Sequence, residues 1–437
     1  MISKINTIRR SLIPVSFLIL LVFQAAAAGK TLDMGKILFF FAGDLFFFIV
    51  TYAFRGFEAE TLSSRPATLF SFFVGTLITA IPAILVILLS PLTPGPLPLI
   101  VSGVFALAPL PLFCSWMFRR NVAKLPPRKC LIIGKRGEIE GLAREVTERL
   151  FGRMEVLDYM NPSAAALEKR LSGADGPIPE TIVIADPALA EGILPIIRKA
   201  GEKRLDVQYF TDLAEGTLKR IPLALLEKFP DYYRKAFADK KPAILKRVFD
   251  ICFSVLFLLV SFPLSLFLFL AIPLSSGFPV IFSQPRIGLG MRPFMFYKFR
   301  SLKTVNQEEA SFKDNPNATI QQRVTGIGNV IRKFRLDEIP QFFNVLLNDM
   351  SVIGPRPEME TYHEKALGNI PWYDKRYLFK PGITGWAQIN YKHTTSIDDY
   401  LRKTEYDLYY VKNWSLKLDF EIALKTVQTM IGMKGAV

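Results

Sequence analysis

The sequence predicts a membrane protein that combines helical spans with an α/β domain. Half of its 437 residues are apolar and only 21% are charged, so part of the chain must lie in lipid. Long apolar stretches fill residues 1–120, a strand–helix alternation starts near Lys129, and a further apolar segment occupies 248–275. We therefore expect four transmembrane helices, a small parallel α/β domain, and a mainly helical C-terminal domain anchored by a re-entrant membrane helix.

The net charge is +15 although the chain is apolar. Basic residues in a membrane protein favour a cytoplasmic face against anionic lipid, or an anionic substrate. No zinc-finger spacing or RNA-recognition signature is present, so we expect no nucleic-acid partner. Cys114, Cys130 and Cys252 lie far apart and predict neither a disulfide framework nor a metal cluster.

Four apolar stretches approach or exceed the ~18–20 residues that cross a bilayer. They are Ser11–Ala28, Ile37–Phe54, Ala67–Leu89 and Leu97–Phe118. Basic residues precede the first and follow the last, which predicts that both ends lie in the cytoplasm. A cleavable signal peptide ending near Ala25–Ala28 is the alternative, and it would leave three spans. Asp44 lies inside the second stretch, where an acid is either functional or hydrogen-bonded to a neighbouring helix.

The alternation after Lys129 predicts a Rossmann-like parallel sheet. Three predicted strands, each followed by a predicted helix, carry this pattern. The strands are Cys130–Ile133, Met154–Leu157 and Thr181–Ala185, and the helices are Glu138–Leu150, Ala164–Leu171 and Ala188–Ala200. Gly134, Gly137 and Gly141 follow the first strand, but their spacing departs from that of a dinucleotide loop. Nucleotide binding and a regulatory or assembly role both remain open.

The segment 248–275 is long enough to span a membrane, yet basic residues flank both of its ends. Lys246 and Arg247 precede it, and Arg286 and Lys298 follow it, so a crossing would place one basic flank outside. Pro263 removes a helical hydrogen bond and bends the helix. We expect a re-entrant helix that breaks near Ser261–Pro263 and returns to the cytoplasmic side, with a Pro-kinked spanning helix as the alternative.

Asp337 and Glu338 are adjacent acids just before Pro340, which is typical of the first turn of a helix. A helix N-terminus can hold a carboxylate ionised and receive a phosphate, although the simplest interpretation is a helix cap. Cations surround the pair in sequence, and their excess suits a site for phosphates. They include Lys298, Arg300, Arg323, Arg332, Arg335 and Arg356.

Seven ordered blocks from Lys246 onward resemble the bacterial sugar transferases, and more specifically the monotopic polyprenyl-phosphate phosphoglycosyl transferases. The preceding spans and α/β unit resemble the long form of that family. Leu302 and Phe262 depart from the family pattern, and both are packing changes. The blocks are Lys246–Asp250, the Pro263 segment, Arg286–Gly290, Lys298–Ser301, Leu336–Val345, Asp349–Pro357 and Lys380–Asn390.

The resemblance implies transfer of a sugar 1-phosphate from a UDP-sugar to polyprenyl (undecaprenyl) phosphate, with release of UMP. It implies that Asp337 forms a covalent phosphosugar intermediate, and that Glu338 assists catalysis and holds Mg²⁺. The reaction would start exopolysaccharide, capsule, O-antigen or related glycan assembly at the cytoplasmic face of the bacterial inner membrane. The residues implied to bind substrate or phosphate are Arg332, Arg356, Lys298, Arg300, Arg286 and Gln341.

The expected organisation is a membrane region at 1–120, a Rossmann-like domain at 128–225, a linker at 226–245 and a transferase domain at 246–437. Expected partners are a UDP-sugar, polyprenyl phosphate and membrane lipids, and a homodimer is left open. A non-catalytic sensor and a transporter are the alternatives, although no internal repeat supports a transporter. Tyr409, Tyr410 and Trp414 suit either a membrane interface or a core, and His393 either touches substrate or is incidental.

Overall fold

The computed structural model describes residues 1–29, 33–89, 96–161, 163–196, 205–238, 240, 242–302, 324–391 and 397–430. They form two compact units, Met1–Pro230 with Val427–Val437, and Asp231–Thr426. Five helical segments among these residues have the length and apolar composition to cross a bilayer. The finer domain boundaries given above stay a prediction.

The first unit begins with apolar helices that match the predicted stretches. Their bounds are α1 Ile2–Ala28, α2 Met34–Ala53, α3 Ala59–Ser63, α4 Arg65–Leu89, α5 Pro96–Leu107 and α6 Pro109–Ala123. Helices α5 and α6 together form one long apolar segment, which Ala108 interrupts with non-helical dihedrals. Polar contacts join the helices, since Ser16 lies 3.1 Å from Cys114 and Gln24 donates to Asp44.

A small parallel sheet follows, as the alternation predicted. Its strands are β1 Arg128–Ile133, β2 Met154–Met160, β3 Thr181–Ile184 and β4 Asp206–Tyr209, in the order β2-β1-β3-β4. Helices α7 Arg136–Arg149, α8 Ala164–Ser172, α9 Pro187–Ala190, α10 Phe210–Leu218 and α11 Leu223–Lys228 accompany the sheet. Strand β4 was not predicted, and the end of the helix expected at Ala188–Ala200 lies outside the described residues.

Charged side chains pair near the carboxyl edge of this sheet, where a nucleotide would bind. Lys228 lies 3.0 Å from Asp186 and also binds Glu138. A Cβ on Gly134 would lie 3.2 Å from the Cβ of Ala185, so this glycine serves close packing after β1. Nucleotide binding and a regulatory or assembly role both stay predictions for this domain.

The stretch 226–245, expected as a linker, contains helical structure. Helix α11 ends at Lys228, and α12 spans Pro230–Ala238. Tyr233 and Phe237 of α12 are buried, and the Phe237 ring lies 6.1 Å from that of Trp372. Part of this stretch is therefore packed into the second unit.

Helix α13, Ile244–Ser276, is the longest helix of the second unit. Its 33 residues form one helix that includes Ser261–Pro263, so the interruption expected there is absent. A proline removes only its own N–H bond, and packing on both sides of it can keep the remaining turns helical. A bend at Pro263 and the re-entrant path stay predictions.

The rest of the second unit consists of short strands and helices, some of which pack against the C-terminal end of α13. Strands β5 Ile281–Ile287 and β6 Pro293–Phe299 form an antiparallel hairpin, and β7 Ser351–Ile353 pairs in parallel with β8 Gly382–Thr384. The helices are α14 Gly326–Lys333, α15 Gln341–Leu346, α16 Glu360–Asn369, α17 Trp386–Asn390, α18 Ile397–Asn413 and α19 Leu416–Met430. Leu268 and Ile272 of α13 share a buried core with Phe299, Ile331 and Ile339.

Two of the C-terminal aromatic residues, Tyr410 and Trp414, have hydrogen-bond partners inside the second unit. The Tyr410 hydroxyl donates to Asp419 at 2.8 Å, and the Trp414 indole donates to the same carboxylate at 2.9 Å. Tyr410 is fully buried. Core packing therefore accounts for Tyr410 and Trp414.

Candidate active site

The acidic pair lies in a short 3-10 turn, Leu336–Glu338, directly before α15. This is close to the predicted helix N-terminus, with Pro340 in the N-cap position. Among the described residues, no side chain caps this helix, so the helix-cap interpretation is not supported. The carboxylates of Asp337 and Glu338 are only 13% and 12% exposed and face cations instead.

Lys298 of β6 binds both acids. Its Nζ lies 3.3 Å from Asp337 Oδ2 and 3.5 Å from Glu338 Oε1. The Phe296 ring, two residues earlier on the strand, lies 5.5 Å from both the Lys298 ammonium and the Arg286 guanidinium. Lys298 and Phe296 share one face of β6, and the Phe296 ring also contacts Arg286 of the paired strand β5.

Two arginines approach Glu338 from other elements. The Nη1 atoms of Arg335 and Arg356 lie 3.4 Å and 4.0 Å from Glu338 Oε1. Arg335 adopts a left-handed backbone (φ 54°) that turns the chain from α14 into the acidic turn. Arg356 follows β7 through Gly354 and Pro355, so the predicted motif does carry its arginine to the acids.

Arg286 belongs to the same electrostatic neighbourhood. Burial and the nearby charge of Arg356 hold its pKa below the usual range of an arginine. Its Nη2 donates to Gln284 at 3.0 Å, whereas its buried Nε has no partner among the residues that the structure describes. This unused donor suits an anionic ligand.

The two adjacent acids differ in their electrostatics. Burial raises the pKa of Asp337, Lys298 opposes this rise, and the charge of Glu338 adds to it. Burial would also raise the pKa of Glu338, but Lys298, Arg356 and Arg335 outweigh it and hold that pKa below its usual range. Glu338 is thus the firmly ionised acid and Asp337 the more basic one.

The donor set fits a magnesium ion. No group of three or more His, Cys, Asp or Glu side chains occurs within the described ranges, so a cage made only of protein is not formed there. Mg²⁺ commonly takes one or two carboxylate oxygens and fills its octahedron with water and substrate phosphate. Asp337 and Glu338 could supply such oxygen ligands.

Two of the residues implied to bind substrate lie away from the acids. Arg300 is buried and donates to the carbonyls of Ser276 at 2.6 Å and Phe278 at 2.9 Å, and also to that of Gly277. It therefore stabilises the end of α13. The Arg332 side chain is exposed, and it forms no hydrogen bond or ion pair with any described residue.

The remaining predicted residues make few side-chain contacts or lie outside the described residues. Gln341 follows the acidic turn and is 1% exposed, and its side-chain Nε2 has no partner in the described part of the chain. Ser261 Oγ donates to the Leu258 carbonyl at 3.4 Å, within the helix that contains Pro263. Arg323 and His393, two residues singled out by the sequence, lie outside the described residues.

A buried support behind Arg356 was not predicted. Arg376 is 1% exposed, and its Nη2 donates to the Arg356 carbonyl and to Asp407 Oδ2, both at 2.8 Å. Its guanidinium also lies over the rings of Tyr373 and Tyr377. Asp407 is 31 residues away in sequence, so no local pattern indicated this pair.

Comparisons with known proteins identify a family for part of the chain. Residues 241–433 match the family described as bacterial sugar transferase. A UDP-N-acetylgalactosamine-undecaprenyl-phosphate N-acetylgalactosaminephosphotransferase from Aeromonas hydrophila is 45% identical over 44% of this chain and 45% of its own length. A UDP-glucose:undecaprenyl-phosphate glucose-1-phosphate transferase from Escherichia coli K12 is 40% identical over 42% of this chain and 39% of its own.

A shorter relative is covered almost completely. The uncharacterized sugar transferase EpsL of Bacillus subtilis 168 is 37% identical over 44% of this chain and 90% of its own length. The chain covers less than half of the length of the first two relatives. From its residues and these matches, the chain belongs to the bacterial sugar transferase family.

Proposed function

We propose that this protein transfers a sugar 1-phosphate from a UDP-sugar to polyprenyl phosphate and releases UMP. The observation that carries the proposal is the pair of nearly buried, adjacent carboxylates, of which Glu338 contacts three cations and Asp337 one. Relatives named for this type of reaction share the second unit.

The proposed chemistry has two displacements at phosphorus. A carboxylate oxygen of Asp337 attacks the phosphorus that carries the sugar, and the bond from that phosphorus to the UMP oxygen breaks. UMP leaves with the bonding pair, and the sugar phosphate stays on the carboxylate as an acyl phosphate. An oxygen of polyprenyl phosphate then attacks the same phosphorus and breaks its bond to Asp337, giving a polyprenyl diphosphate sugar and the free carboxylate.

The cations of the site suit this chemistry, because phosphoryl transfer depends mainly on positioning and charge neutralisation. Lys298, Arg335, Arg356 and Arg286 exceed the two carboxylates by two positive charges. A diphosphate brings negative charge that this excess balances. Arg356 and Arg286 offer paired N–H donors to phosphate oxygens, and Lys298 orients the attacking carboxylate.

Glu338 and Asp337 would hold Mg²⁺ through oxygen atoms. The ion supplies charge neutralisation for the diphosphate when bound. The remaining duties fall to the chain itself. Arg335 and Arg356 keep Glu338 ionised, and the turn after Arg335 sets the direction of the Asp337 side chain.

The proposal includes a re-entrant α13, supported by contacts at both of its ends. Lys246 near its start binds Asp419 at 2.8 Å, and Arg300 binds the carbonyl of Ser276 at its end. All four residues belong to the second unit. A straight helix of this length would measure ~50 Å, which exceeds the ~30 Å hydrocarbon core. A soluble unit on one side of the membrane could not hold both ends of such a spanning helix.

Aromatic stacking connects the same helix to the acidic turn. The rings of Phe257 in α13 and Phe342 in α15 stack with centroids 4.2 Å apart, and Phe253 lies 6.2 Å from Phe342. Arg247 donates to the Val345 and Leu346 carbonyls at the other end of α15. These contacts support a catalytic site at the membrane surface, and the basic flanks of α13 favour the cytoplasmic face.

The test measures UMP release by purified protein with UDP-sugars, undecaprenyl phosphate and Mg²⁺. Without the acceptor, we expect a burst of at most one UMP per active site and a β-phosphate label retained on the protein. Asp337→Asn should abolish both the burst and turnover, because an amide cannot form the acyl phosphate. EDTA should suppress release and added Mg²⁺ restore it.

Asp374→Asn serves as the matched control, since its half-exposed carboxylate pairs with the neighbouring Lys375. It should retain both signals. An Asp337→Asn protein that turns over as well as the parent would show that the nucleophile is elsewhere. The sugar substrate is identified by testing a panel of UDP-hexoses. The panel begins with UDP-glucose and UDP-N-acetylgalactosamine, because the two relatives are named for these different sugars.

A further inference from the structure

The first unit contains a cavity of about 290 Å³ between its apolar helices. Residues of α1, α2, α4 and α5 line it, and most of them are apolar, as Leu20, Phe40 and Ala106 are. The proposed transferase reaction uses none of these residues.

A polar pair interrupts this apolar lining. Gln24 and Asp44 are 3% and 4% exposed, and Gln24 Nε2 donates to Asp44 Oδ1 at 2.9 Å. The other polar atom of each side chain, Gln24 Oε1 and Asp44 Oδ2, is buried without a partner among the described residues. A clasp between α1 and α2 needs only the one bond. Because an unpaired polar atom in hydrocarbon is costly, the two remaining oxygens indicate a ligand.

The charge of the cavity restricts the kind of ligand. No Lys or Arg belongs to the described lining, so an ionised Asp44 would have no counter-charge there. The neutral acid has an O–H donor, and Gln24 Oε1 remains an acceptor. One hydroxyl group satisfies both, because it accepts from Asp44 and donates to Gln24.

We propose that this cavity binds a lipid alcohol, an apolar chain that carries a free hydroxyl group. Ile84 and Ile100 belong to the lining and are 55% and 59% exposed, so the cavity opens to the lipid-facing surface of the helices. The chain lies against the apolar lining, and the hydroxyl closes the hydrogen-bond ring with Gln24 and Asp44.

Water is the competing occupant, and the other polar residues of the lining disfavour it. The hydroxyls of Thr76, Thr79 and Ser102 each donate to a carbonyl of their own helix. Buried waters need about two to four polar partners each. A cavity of this volume, with one polar pair at its wall, offers few sites of that kind.

The test uses the full chain in phosphatidylcholine–phosphatidylglycerol nanodiscs. The probe is hexadecanol with a diazirine in its chain, and its methyl ether is the matched probe without a donor. We expect the alcohol to label peptides of α2 and α4, and unlabelled hexadecanol to compete about tenfold better than the ether, the ratio expected for ~1.4 kcal/mol.

Gln24→Met keeps the side-chain length and removes the acceptor, so it should lower labelling by a similar factor. Thr7→Val on α1 is the control and should label as the parent does, because Thr7 does not line the cavity and its hydroxyl is bonded to the Ser3 carbonyl of its own helix. Equal labelling by alcohol and ether, or full labelling of Gln24→Met, would overturn the proposal. The alcohol–ether comparison needs no variant, and labelling is measured independently of UMP release.

Discussion

At the scale of single residues, the acidic pair shows how one cation arrangement gives two neighbours different properties. Glu338 receives Lys298, Arg335 and Arg356, whereas Asp337 receives Lys298 alone. The more basic acid therefore lies beside the firmly ionised one. That division suits a nucleophile next to a charged metal ligand better than it suits two equivalent caps.

The raised pKa of Asp337 predicts the pH dependence of UMP release. Its ionised form is lost as pH falls through this raised pKa, so the acid limb of kcat/KM lies at higher pH than for an ordinary aspartate. Lys298→Met removes the cation that lowers this pKa and should move the limb further up. Lys365→Met, an exposed change on α16, should leave the profile unchanged. An unmoved limb in Lys298→Met would argue against Asp337 as the titrating group.

Arg300 illustrates a residue whose contacts the sequence did not predict. Arg300→Met removes the donor to the carbonyls of Ser276 and Phe278, which should cost ~0.5–1.5 kcal/mol for each lost hydrogen bond. We expect a lower Tm, with UMP release per folded molecule retained. A variant with the parent Tm and no UMP release would return Arg300 to the substrate site.

At the scale of elements, close packing of β7 on β8 positions Arg356. A Cβ on Gly382 would collide with the Gly354 backbone, and one on Gly385 would collide with the Gly354 carbonyl. Arg376 holds the same region through the Arg356 carbonyl. The position of this arginine is thus set by backbone contacts as well as by its own side chain.

Gly382→Ala should therefore separate β7 from β8 and lower both Tm and kcat/KM, because Arg356 moves away from Glu338. Gly368→Ala provides the control on α16, where an added Cβ meets no atom within 4 Å. That control should be neutral or stabilising by up to ~1 kcal/mol, since alanine favours helices. Equal stability of the two variants, measured by thermal unfolding, would contradict the packing argument.

The elements also show why some features were predictable and others were not. Strands β1 and β3 have continuous apolar runs, and five of the seven residues of β2 are apolar. Strand β4 is Asp-Val-Gln-Tyr, which has too few apolar residues to be recognised alone. Lys298 and Arg300 were expected on one face because side chains alternate along a strand. Strand β6 ends at Phe299, so Arg300 leaves the alternation and reaches α13.

Site residues were predictable where they share a short motif, and not where folding alone brings them together. Asp337, Glu338 and Arg356 lie within 20 positions and meet in the structure. Arg376 and Asp407 form a long-range pair whose partners no periodicity connects.

At the scale of the whole molecule, the two proposed functions belong to different units of one chain. The family match covers the second unit, whereas the cavity with Gln24 and Asp44 belongs to the first. We expect variants of the two units to separate transferase activity from lipid binding.

The path of α13 predicts which side of the membrane each of its ends can be reached from. Ile244 and Phe278 are 86% and 77% exposed near opposite ends of the helix. In a chain whose native cysteines are replaced, Ile244→Cys and Phe278→Cys should both react with an impermeant maleimide only from the cytoplasmic side. Labelling of the two cysteines from opposite sides would show that α13 spans the bilayer.

In the proposed reaction, the stack of Phe257 on Phe342 fixes the distance between the Asp337 carboxylate and the hydrocarbon region of the bilayer. Helix α15 follows the acidic turn, and the ring of its Phe342 lies 4.2 Å from the ring of Phe257 in α13. The carboxylate can then meet only those phosphates that sit at one level of the interface. This fixed distance would favour acceptors whose lipid tails hold the phosphate at the same level of the interface. A soluble phosphate of the same chemistry would rarely arrive in the attacking position.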